Sequence, residues 1–376
     1  VAFIGGRGII GKYSGVESFY EKAGQALSAR GHEITAYCRS YFTPDQKKSG
    51  GIRIVRLPTI RTKHLDTFVH SFLSTVHACF GDHDVVHYHT LGPSLFSLLP
   101  RLFGKKTVVT VQGLDWQRKK WSWCARLVLK AAEWTSAHSP NRTIVVSRTL
   151  ERYYCQRYGR AVLYIPNGTD LLRRTTGPHL AQFDLRPDNY VLFLGRFSPE
   201  KNLDLLIQAF EAVNTPMKLV LAGGSSHTDE YVRELRSHTS VRIKFLDWLS
   251  GDEFREVLTN AALFALPSDM EGLSLALLDA MAAGVCVLAS DIPENREVVC
   301  DAGFTFAAGN VLDLQRKLTM LLSDAGLRHR TGEQARERIR KNFLWGRVTD
   351  DLEQLYLDVV GESVHGAPMK ALSKAA

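Results

Sequence analysis

Two cations in the second half of the chain have the types and spacing to bind a phosphorylated ligand. Arg196 and Lys201 stand at the two ends of a short segment between a strand pattern and a helical pattern. Arginine offers planar, bidentate hydrogen bonds and lysine a mobile point charge, so together they can neutralise negative charge on a phosphate group. The alternative is that both are solvated surface cations.

Two carboxylates further along the chain, Glu271 and Asp279, are separated by seven residues. Glu271 falls where a strand pattern ends and a helical pattern begins, and the free N–H groups of a helix start favour anions. The next residues, Gly272, Leu273 and Ser274, would bring these N–H groups to a ligand, while the Glu271 carboxylate accepts hydrogen bonds from hydroxyl groups. The alternative is a helix-capping acid followed by a solvated acid.

Glycines follow the first apolar run in the spacing GxGxxG, at Gly6, Gly8 and Gly11. This spacing is typical of dinucleotide binding, and Arg39 after the second strand pattern would then contact the 2′-phosphate of NADP. The helical period starts only near Val16, so the loop is too long for that fingerprint. We therefore expect a flexible glycine loop close to a ligand, and an NADP-dependent oxidoreductase is the least favoured alternative.

Further polar residues lie near the ends of strand patterns in the first half. Gly15 would let the backbone approach a phosphate, and Glu17 either binds substrate or favours the first helical turn. His87 and His89 either contact substrate and relay a proton, or pack as core histidines satisfied by the backbone. Gln112 can donate and accept hydrogen bonds, but an amide is no general base near neutral pH.

These residues require elements that bring them to the edge of a sheet. Short β-rich apolar runs alternate with helical-period segments along almost the whole chain, which is typical of parallel sheets covered by helices. The predicted strands are Val1–Gly5, Glu33–Cys38, Ile52–Leu57, Asp84–Tyr88, Thr107–Val111, Thr143–Val146, Val162–Ile165, Tyr190–Gly195, Lys218–Ala222, Val241–Leu246, Leu263–Leu266 and Val285–Ala289. The sequence therefore predicts an α/β fold with two doubly wound parallel sheets.

A turn-rich stretch after residue 165 separates the two series of strands. We predict an N-terminal domain over 1–170, a linker over 171–188 and a C-terminal domain over 189–344. A helix over 345–360 is expected to pack back on the first domain, and 361–376 to form a flexible tail. Two such units are expected to create a cleft at the carboxyl ends of their strands, where open α/β sheets bind ligands.

Taken together, these segments resemble the nucleotide-sugar-dependent glycosyltransferases of family 4, or group 1, which have the GT-B fold of two facing Rossmann-like domains. The resemblance covers nearly the whole chain. It implies that Arg196 and Lys201, beside Gly195, clamp the donor diphosphate. It also implies that Glu271 contacts the donor and that Asp279 reaches the ribose.

Two positions depart from the pattern of that family. Asp279 stands where Glu is usual and is shorter by one methylene, so the ribose contact is expected to be looser or bridged by water. Gln112 stands where His is common near the transferred sugar, so it would hold a sugar hydroxyl or developing charge instead of moving a proton. A non-catalytic sugar-nucleotide-binding protein of the same fold is the alternative that these departures favour.

The resemblance implies a retaining transfer of a hexose or deoxyhexose from a UDP-, GDP- or dTDP-sugar to a glycan or lipid-linked acceptor. It implies no cofactor and no metal. The N-terminal pattern is similar to transferases of rhamnosyltransferase type that assemble bacterial surface polysaccharides. The residues expected to carry catalysis are Arg196, Lys201 and Glu271, and those expected on the acceptor or sugar side are Glu17, His87, His89 and Gln112.

The formal net charge of +8 favours anionic partners. A basic and aromatic cluster, predicted either to contact an anionic membrane surface or to form a solvated helix face, comprises Arg118, Lys119, Lys120, Trp121 and Trp123. No nucleic-acid motif accompanies it. No apolar run is long enough to span a bilayer, so we expect a cytoplasmic protein that is peripheral on the inner face of the membrane.

Overall fold

The computed structural model describes residues 1–9, 15–62, 65–117, 121–225 and 228–361. Several predicted features lie outside the described residues. These are most of the glycine loop before Gly15, the three cations Arg118, Lys119 and Lys120, and the tail beyond Gly361.

The described chain divides into two compact units. Unit 1 comprises Val1–Val146, Leu150–Ile165 and the chain from Val348 onward. Unit 2 comprises Ser147–Thr149 and Pro166–Arg347.

Unit 1 contains a sheet of eight described strands in the order β3-β4-β2-β1-β5-β6-β7-β8, parallel throughout except for β3. Its strands are β1 (Ala2–Ile4), β2 (Thr35–Arg39), β3 (Lys48–Ser49), β4 (Ile52–Leu57), β5 (Val85–His89), β6 (Lys106–Val111), β7 (Arg142–Val145) and β8 (Leu163–Tyr164). The helices between them are α1 (Gly15–Ala29), α2 (Leu65–Cys79), α3 (Leu91–Ser94), α4 (Leu99–Leu102), α5 (Trp123–His138) and α6 (Arg148–Tyr158).

Unit 2 contains a parallel sheet of six described strands in the order β11-β10-β9-β12-β13-β14. Its strands are β9 (Tyr190–Arg196), β10 (Lys218–Gly224), β11 (Ile243–Leu246), β12 (Leu263–Leu266), β13 (Val287–Ser290) and β14 (Phe304–Phe306). The remaining helices are α7 (His179–Gln182), α8 (Leu203–Glu211), α9 (Asp229–Arg236), α10 (Gly251–Thr259), α11 (Leu275–Ala282), α12 (Pro293–Val299), α13 (Val311–Ser323), α14 (Ala325–Asn342) and α15 (Trp345–Gly361).

The central strands are buried along their whole length, because helices cover both faces of a parallel sheet. Every residue of β1, β2, β5 and β12 is buried. In the sequence, strands that are buried on both faces appear as continuous apolar runs. The predicted α/β architecture with two parallel sheets is confirmed.

The segment 171–188 differs from the linker that the sequence predicts. It contains α7, and the backbone N–H of Leu180 donates to Glu256 Oε1 on α10 at 3.1 Å. The Arg174 Nε donates to Asn260 Oδ1 at 2.7 Å. These polar contacts attach the segment to unit 2, and the division between the units falls at residues 165 and 166.

Helix α15 begins in unit 2 and belongs to unit 1 from Val348 onward. The Tyr356 hydroxyl is hydrogen-bonded to His87 Nδ1 on β5 at 2.6 Å, in the buried core. At the surface, Arg30 donates to Glu353 at 2.7 Å and to Asp350 at 2.6 Å. Buried apolar side chains, the buried His87–Tyr356 hydrogen bond and a surface ion-pair cluster therefore fix the last helix on the first unit.

We expect Tyr356→Phe to lower the free energy of unfolding by about 1–3 kcal/mol, because a buried ring nitrogen loses its partner while the volume hardly changes. Denaturant unfolding measures the effect. Tyr41→Phe is the matched control, since the Tyr41 hydroxyl donates to Asp66 at the surface and its loss should change stability by less than about 0.5 kcal/mol. Equal losses of unfolding free energy in the two variants would show that the His87–Tyr356 hydrogen bond stabilises the fold no more than a surface hydrogen bond does.

Candidate functional site

The predicted cation Lys201 and the predicted carboxylate Glu271 meet in unit 2. Lys201 Nζ donates to Glu271 Oε1 at 2.5 Å, and the Ser268 hydroxyl donates to the same oxygen at 2.7 Å. The side chains of Lys201 and Glu271 are only 13% and 10% exposed. The carboxylate is therefore held by two donors in a largely desolvated position, where its attraction for a cation is stronger than at the surface.

Strand order explains why these two residues meet. Strands β9 and β12 are parallel neighbours, with Leu263 opposite Val191. Lys201 ends a short 3-10 helix that follows β9, and Glu271 follows β12. Because the carboxyl ends of parallel strands meet at one edge of a sheet, both side chains reach the same edge.

Asn202 and Asp269 join the two loops that carry this ion pair. Asn202 has a left-handed backbone, with φ 48° and ψ 46°, which ends the 3-10 helix and starts α8. Its side-chain amide donates to the Asp269 carboxylate, and the backbone N–H of Asp269 donates to the Glu200 carbonyl at 3.0 Å. These hydrogen bonds connect the loops after β9 and β12, in addition to the Lys201–Glu271 ion pair.

Arg196 is the last residue of β9, and Gly195 precedes it opposite Gly223 of β10. Both glycines have positive φ, 149° and 144°. A Cβ added to Gly223 would lie 1.8 Å from the Gly195 carbonyl oxygen, so only glycine fits there. The backbone of β9 and β10 is therefore closely packed at the edge where Arg196 lies.

Ser274 is the N-cap of α11, the helix that follows Glu271. Its hydroxyl accepts a hydrogen bond from the backbone N–H of Leu277 at 3.4 Å, an arrangement typical of a helix start. Asp279 lies further along α11, where its Oδ1 accepts a hydrogen bond from the Thr169 hydroxyl at 2.5 Å. Neither Thr169 nor Ser268 was predicted as a site residue, although Thr169 lies in the turn-rich stretch after residue 165.

His87 of unit 1 is completely buried and hydrogen-bonded on both ring nitrogens. Nδ1 pairs with the Tyr356 hydroxyl, and Nε2 pairs with the Thr110 hydroxyl at 2.7 Å. Burial lowers the pKa of His87 to about 3, so the ring is neutral near neutral pH. His87 therefore fits the core-packing alternative better than proton relay. Its ring nitrogens are hydrogen-bonded to side chains, however, and not to the backbone as expected.

His89 is also completely buried, among the rings of Phe19, Tyr20 and His87, whose centroids lie 4.8, 4.9 and 4.1 Å from its own. Neither ring nitrogen has a hydrogen-bond partner within the part of the chain that the structure describes. Burial, with a smaller contribution from His87, holds its pKa well below the usual value. The structure thus places His89 in the apolar core of unit 1, not at a surface where it could contact substrate.

Glu17 and Gln112 are the other residues predicted on the acceptor or sugar side. Glu17 is 2% exposed, in the first turn of α1, which begins at Gly15. Its Oε1 accepts a hydrogen bond from the backbone N–H of Arg7 at 3.3 Å, while its Oε2 is buried without a partner among the described residues. Gln112 follows the end of β6 and is half-buried.

Metal-binding clusters and membrane-spanning helices are both absent from the residues that the structure describes. No group of three or more His, Cys, Asp or Glu side chains there could hold a metal ion. None of the described helices combines the length and the apolar character needed to cross a membrane.

Two family models match the chain and divide it between them. The model described as "Glycosyltransferase Family 4" matches residues 13–173, and the one described as "Glycosyl transferases group 1" matches residues 181–338. The chain belongs to the group 1 glycosyltransferases of family 4. The NADP-dependent oxidoreductase alternative is therefore wrong.

Curated relatives of this glycosyltransferase include an alpha-maltose-1-phosphate synthase from Mycobacterium tuberculosis, 27% identical over 73% of this chain and 79% of the relative. The O-antigen chain mannosyltransferase B of Escherichia coli is 28% identical over 48% of each chain. These relatives act on different substrates, so they support the family and leave donor and acceptor open.

Solved structures similar to this glycosyltransferase include a sucrose-phosphate synthase from Thermosynechococcus elongatus, with a TM-score of 0.81 at 22% identity over 95% of this chain and 98% of that one. Anabaena HepE in complex with UDP-glucose has a TM-score of 0.79 at 16% identity, over 95% and 98% of the two chains. The predicted GT-B fold is confirmed. The roles predicted for individual site residues, and the cleft, stay predictions.

The buried histidines make stability depend on pH. The folded-state pKa of His87, about 3, and that of His89 lie below the unfolded value near 6.5, so their contribution is complete above pH ~6.5 and is lost as pH falls towards 3. We expect each histidine to lower the free energy of unfolding by up to about 1.4 kcal/mol for every pH unit in this window. Unfolding midpoints in urea from pH 7.5 to 4.5 measure the slope.

His89→Leu should make that slope shallower, because it removes one group that takes up a proton on unfolding. The control is His238→Gln, since the His238 side chain is 44% exposed and its replacement should leave the slope unchanged. An identical slope in wild type and His89→Leu would contradict the assignment of His89 as a neutral core residue.

Proposed function

We propose that the protein transfers a hexose or deoxyhexose from a nucleoside-diphosphate sugar to a glycan or lipid-linked acceptor. The observation that carries this proposal is the Lys201–Glu271 ion pair with Ser268, at the edge of the sheet where Arg196 ends β9. A cation beside an oriented carboxylate suits a ligand that has phosphate groups next to sugar hydroxyls.

In the proposed reaction, Arg196 and Lys201 bind the donor diphosphate, and Glu271 accepts hydrogen bonds from sugar hydroxyls. The bond between the anomeric carbon and the diphosphate oxygen breaks, while the acceptor oxygen bonds to that carbon with retention of configuration. The acceptor proton passes to the departing phosphate oxygen. The two cations neutralise the charge that develops on the leaving group, so no metal ion is required for this step.

The similarity to HepE, whose structure contains UDP-glucose, supports a nucleotide-sugar donor. The diphosphate contacts proposed for Arg196 and Lys201 are open to a UDP-, GDP- or dTDP-sugar alike. The E. coli relative, named as an O-antigen chain mannosyltransferase, supports a role in bacterial surface polysaccharide synthesis. On the acceptor or sugar side, Gln112 would hold a hydroxyl, and the buried Glu17 would orient the backbone after β1 through its hydrogen bond from the N–H of Arg7.

A thermal-shift screen with UDP, GDP, dTDP and their sugars, with NADPH as control, tests the donor. We expect one of these nucleotides to raise the melting temperature by mass action. Lys201→Ala and Arg196→Ala should weaken its binding roughly 10- to 100-fold, because each removes hydrogen bonds to a charged group. Arg236→Ala is the matched control, since it breaks an exposed ion pair with Asp247 in the same unit.

Incubation of the preferred donor with acceptor extracts, with and without EDTA, then separates an enzyme from a binding protein. We expect transfer that survives EDTA and a product whose anomeric configuration, read by NMR, matches the donor. Donor binding without turnover would favour the non-catalytic alternative. A shift with NADPH alone, or with no nucleotide, would overturn the proposed function.

We further propose that the start of α5 contacts an anionic membrane surface from the inner side of the cell membrane. Trp123 and Leu127 are 73% and 56% exposed, one helical turn apart. Arg126 and Lys130 are exposed on the same helix. Apolar side chains flanked by cations are the combination that binds anionic interfaces.

Flotation with vesicles containing anionic lipids tests this proposal at low and high salt. We expect Trp123→Ala with Leu127→Ala to weaken vesicle binding by roughly tenfold or more, because each buries apolar surface worth about 1.5–3 kcal/mol. Val241→Ala is the control, since Val241 is 85% exposed but lies in unit 2. No binding by the wild type at low salt would contradict membrane contact.

A further inference from the structure

Asp279, the residue that resemblance assigns to the ribose, has an unexpected partner. Its Oδ1 accepts a hydrogen bond from the Thr169 hydroxyl at 2.5 Å, across 110 positions of sequence. The hydroxyl also approaches the Asp170 carbonyl, but at 3.3 Å, so the carboxylate is the stronger acceptor for its single proton. Thr169 is 2% exposed, so water competes little with this bond.

Thr169 is itself fixed by its backbone. Its N–H donates to the Phe343 carbonyl at 2.8 Å, and its carbonyl accepts from the N–H of Trp345 at 3.2 Å, in an isolated parallel bridge at Leu344. The preceding Gly168 lies against the Trp345 ring, where an added Cβ would come within 2.7 Å of the ring. A β-branched side chain on so constrained a backbone has few rotamers, so the Thr169 hydroxyl has a defined direction.

The shorter side chain of Asp279 makes that direction important. Aspartate has one methylene fewer than the glutamate usual at this position, so its carboxylate stays nearer to α11 and has less reach with which to correct a poor orientation. A carboxylate offers about four acceptor sites on two oxygens, and the hydrogen bond from Thr169 occupies one of the sites on Oδ1. A donor on Oδ1 fixes the plane of the carboxylate and hence the direction of its other lone pairs.

We propose that Thr169 is a positioning residue that orients the Asp279 carboxylate towards the ribose and thereby sets the preference of the protein for ribonucleotides over 2′-deoxyribonucleotides. This inference rests on the proposed function, because it assumes that a nucleoside diphosphate binds in unit 2. It assigns Thr169 no contact with the ligand.

The test compares dissociation constants of each diphosphate in its two sugar forms, by calorimetry on the full chain. The pairs are UDP with 2′-deoxy-UDP, GDP with 2′-deoxy-GDP, and dTDP with its ribose counterpart. For the base that binds, we expect the wild type to prefer ribose by about tenfold, the effect of one hydrogen bond to a charged group. Thr169→Val should reduce this preference to within about threefold of unity, while Thr169→Ser, which keeps the hydroxyl, should restore most of it.

Two further variants separate positioning from general loss of stability. Thr259→Val removes a buried hydroxyl from the same unit, where it accepts from the N–H of Thr175 at 3.2 Å, and should leave the preference unchanged. Asp279→Ala should abolish the preference, and adding Thr169→Val to Asp279→Ala should change it no further, because both act through one carboxylate.

The outcomes distinguish this inference from the proposed function. If no nucleoside diphosphate binds the wild type, the proposed function fails and the role of Thr169 fails with it. If a ribonucleotide binds but the preference is near unity in the wild type, or is the same in Thr169→Val, the positioning role is wrong and the proposed function stands. Additive effects of Thr169→Val and Asp279→Ala would also overturn it.

Discussion

Two residues seventy positions apart, Lys201 and Glu271, meet because β9 and β12 are neighbours in the second sheet although β10 and β11 separate them in sequence. Parallel strands need crossover connections, and these return every strand in the same direction. The loops after β9 and β12 therefore lie at one edge, where Asn202 and Asp269 connect them. Arg196, the helix start at Ser274 and the Asp279 carboxylate all take their positions from this strand order.

Hydrogen bonds within the chain organise the same edge. Glu271 accepts from Lys201 and Ser268, so two side chains of the protein itself orient its carboxylate. Charges in a partly desolvated site interact more strongly than at the surface, provided that each has a partner. In the proposed function, the long Lys201 side chain turns from this carboxylate towards a donor phosphate, while the Ser268 hydroxyl keeps its hydrogen bond to Glu271.

The sequence predicted the parts of the molecule that depend on local pattern. Buried parallel strands are continuous apolar runs, so β4 and β12 were predicted with the bounds that the structure has. The two-residue strand β3 and the short β14 were not, because they have too few residues to show a period. Their existence depends on neighbouring strands, which local pattern does not describe.

Side-chain partners were harder to predict than strands, because they depend on distant parts of the chain. His87 ends a strand as expected, but its partner Tyr356 is 269 positions away, so the sequence left proton relay and core packing open. Asp279 lies on the helix that the pattern after β12 predicts, yet its bond to Thr169 depends on where the turn at the start of unit 2 lies. Resemblance to a family assigns roles, whereas the partners that modify those roles appear only in three dimensions.

The assignment of the last helix to the first unit has a consequence for synthesis on the ribosome. All eight described strands of the first sheet have been made by residue 164, but the chain must grow to Tyr356 before His87 gains its partner. The segment from Pro166 to Arg347 is continuous in sequence, so the second unit can complete its contacts first. An N-terminal domain usually folds first, but here its last contacts form after those of the second unit. For about half of translation, the nascent first unit therefore lacks the helix that contacts His87.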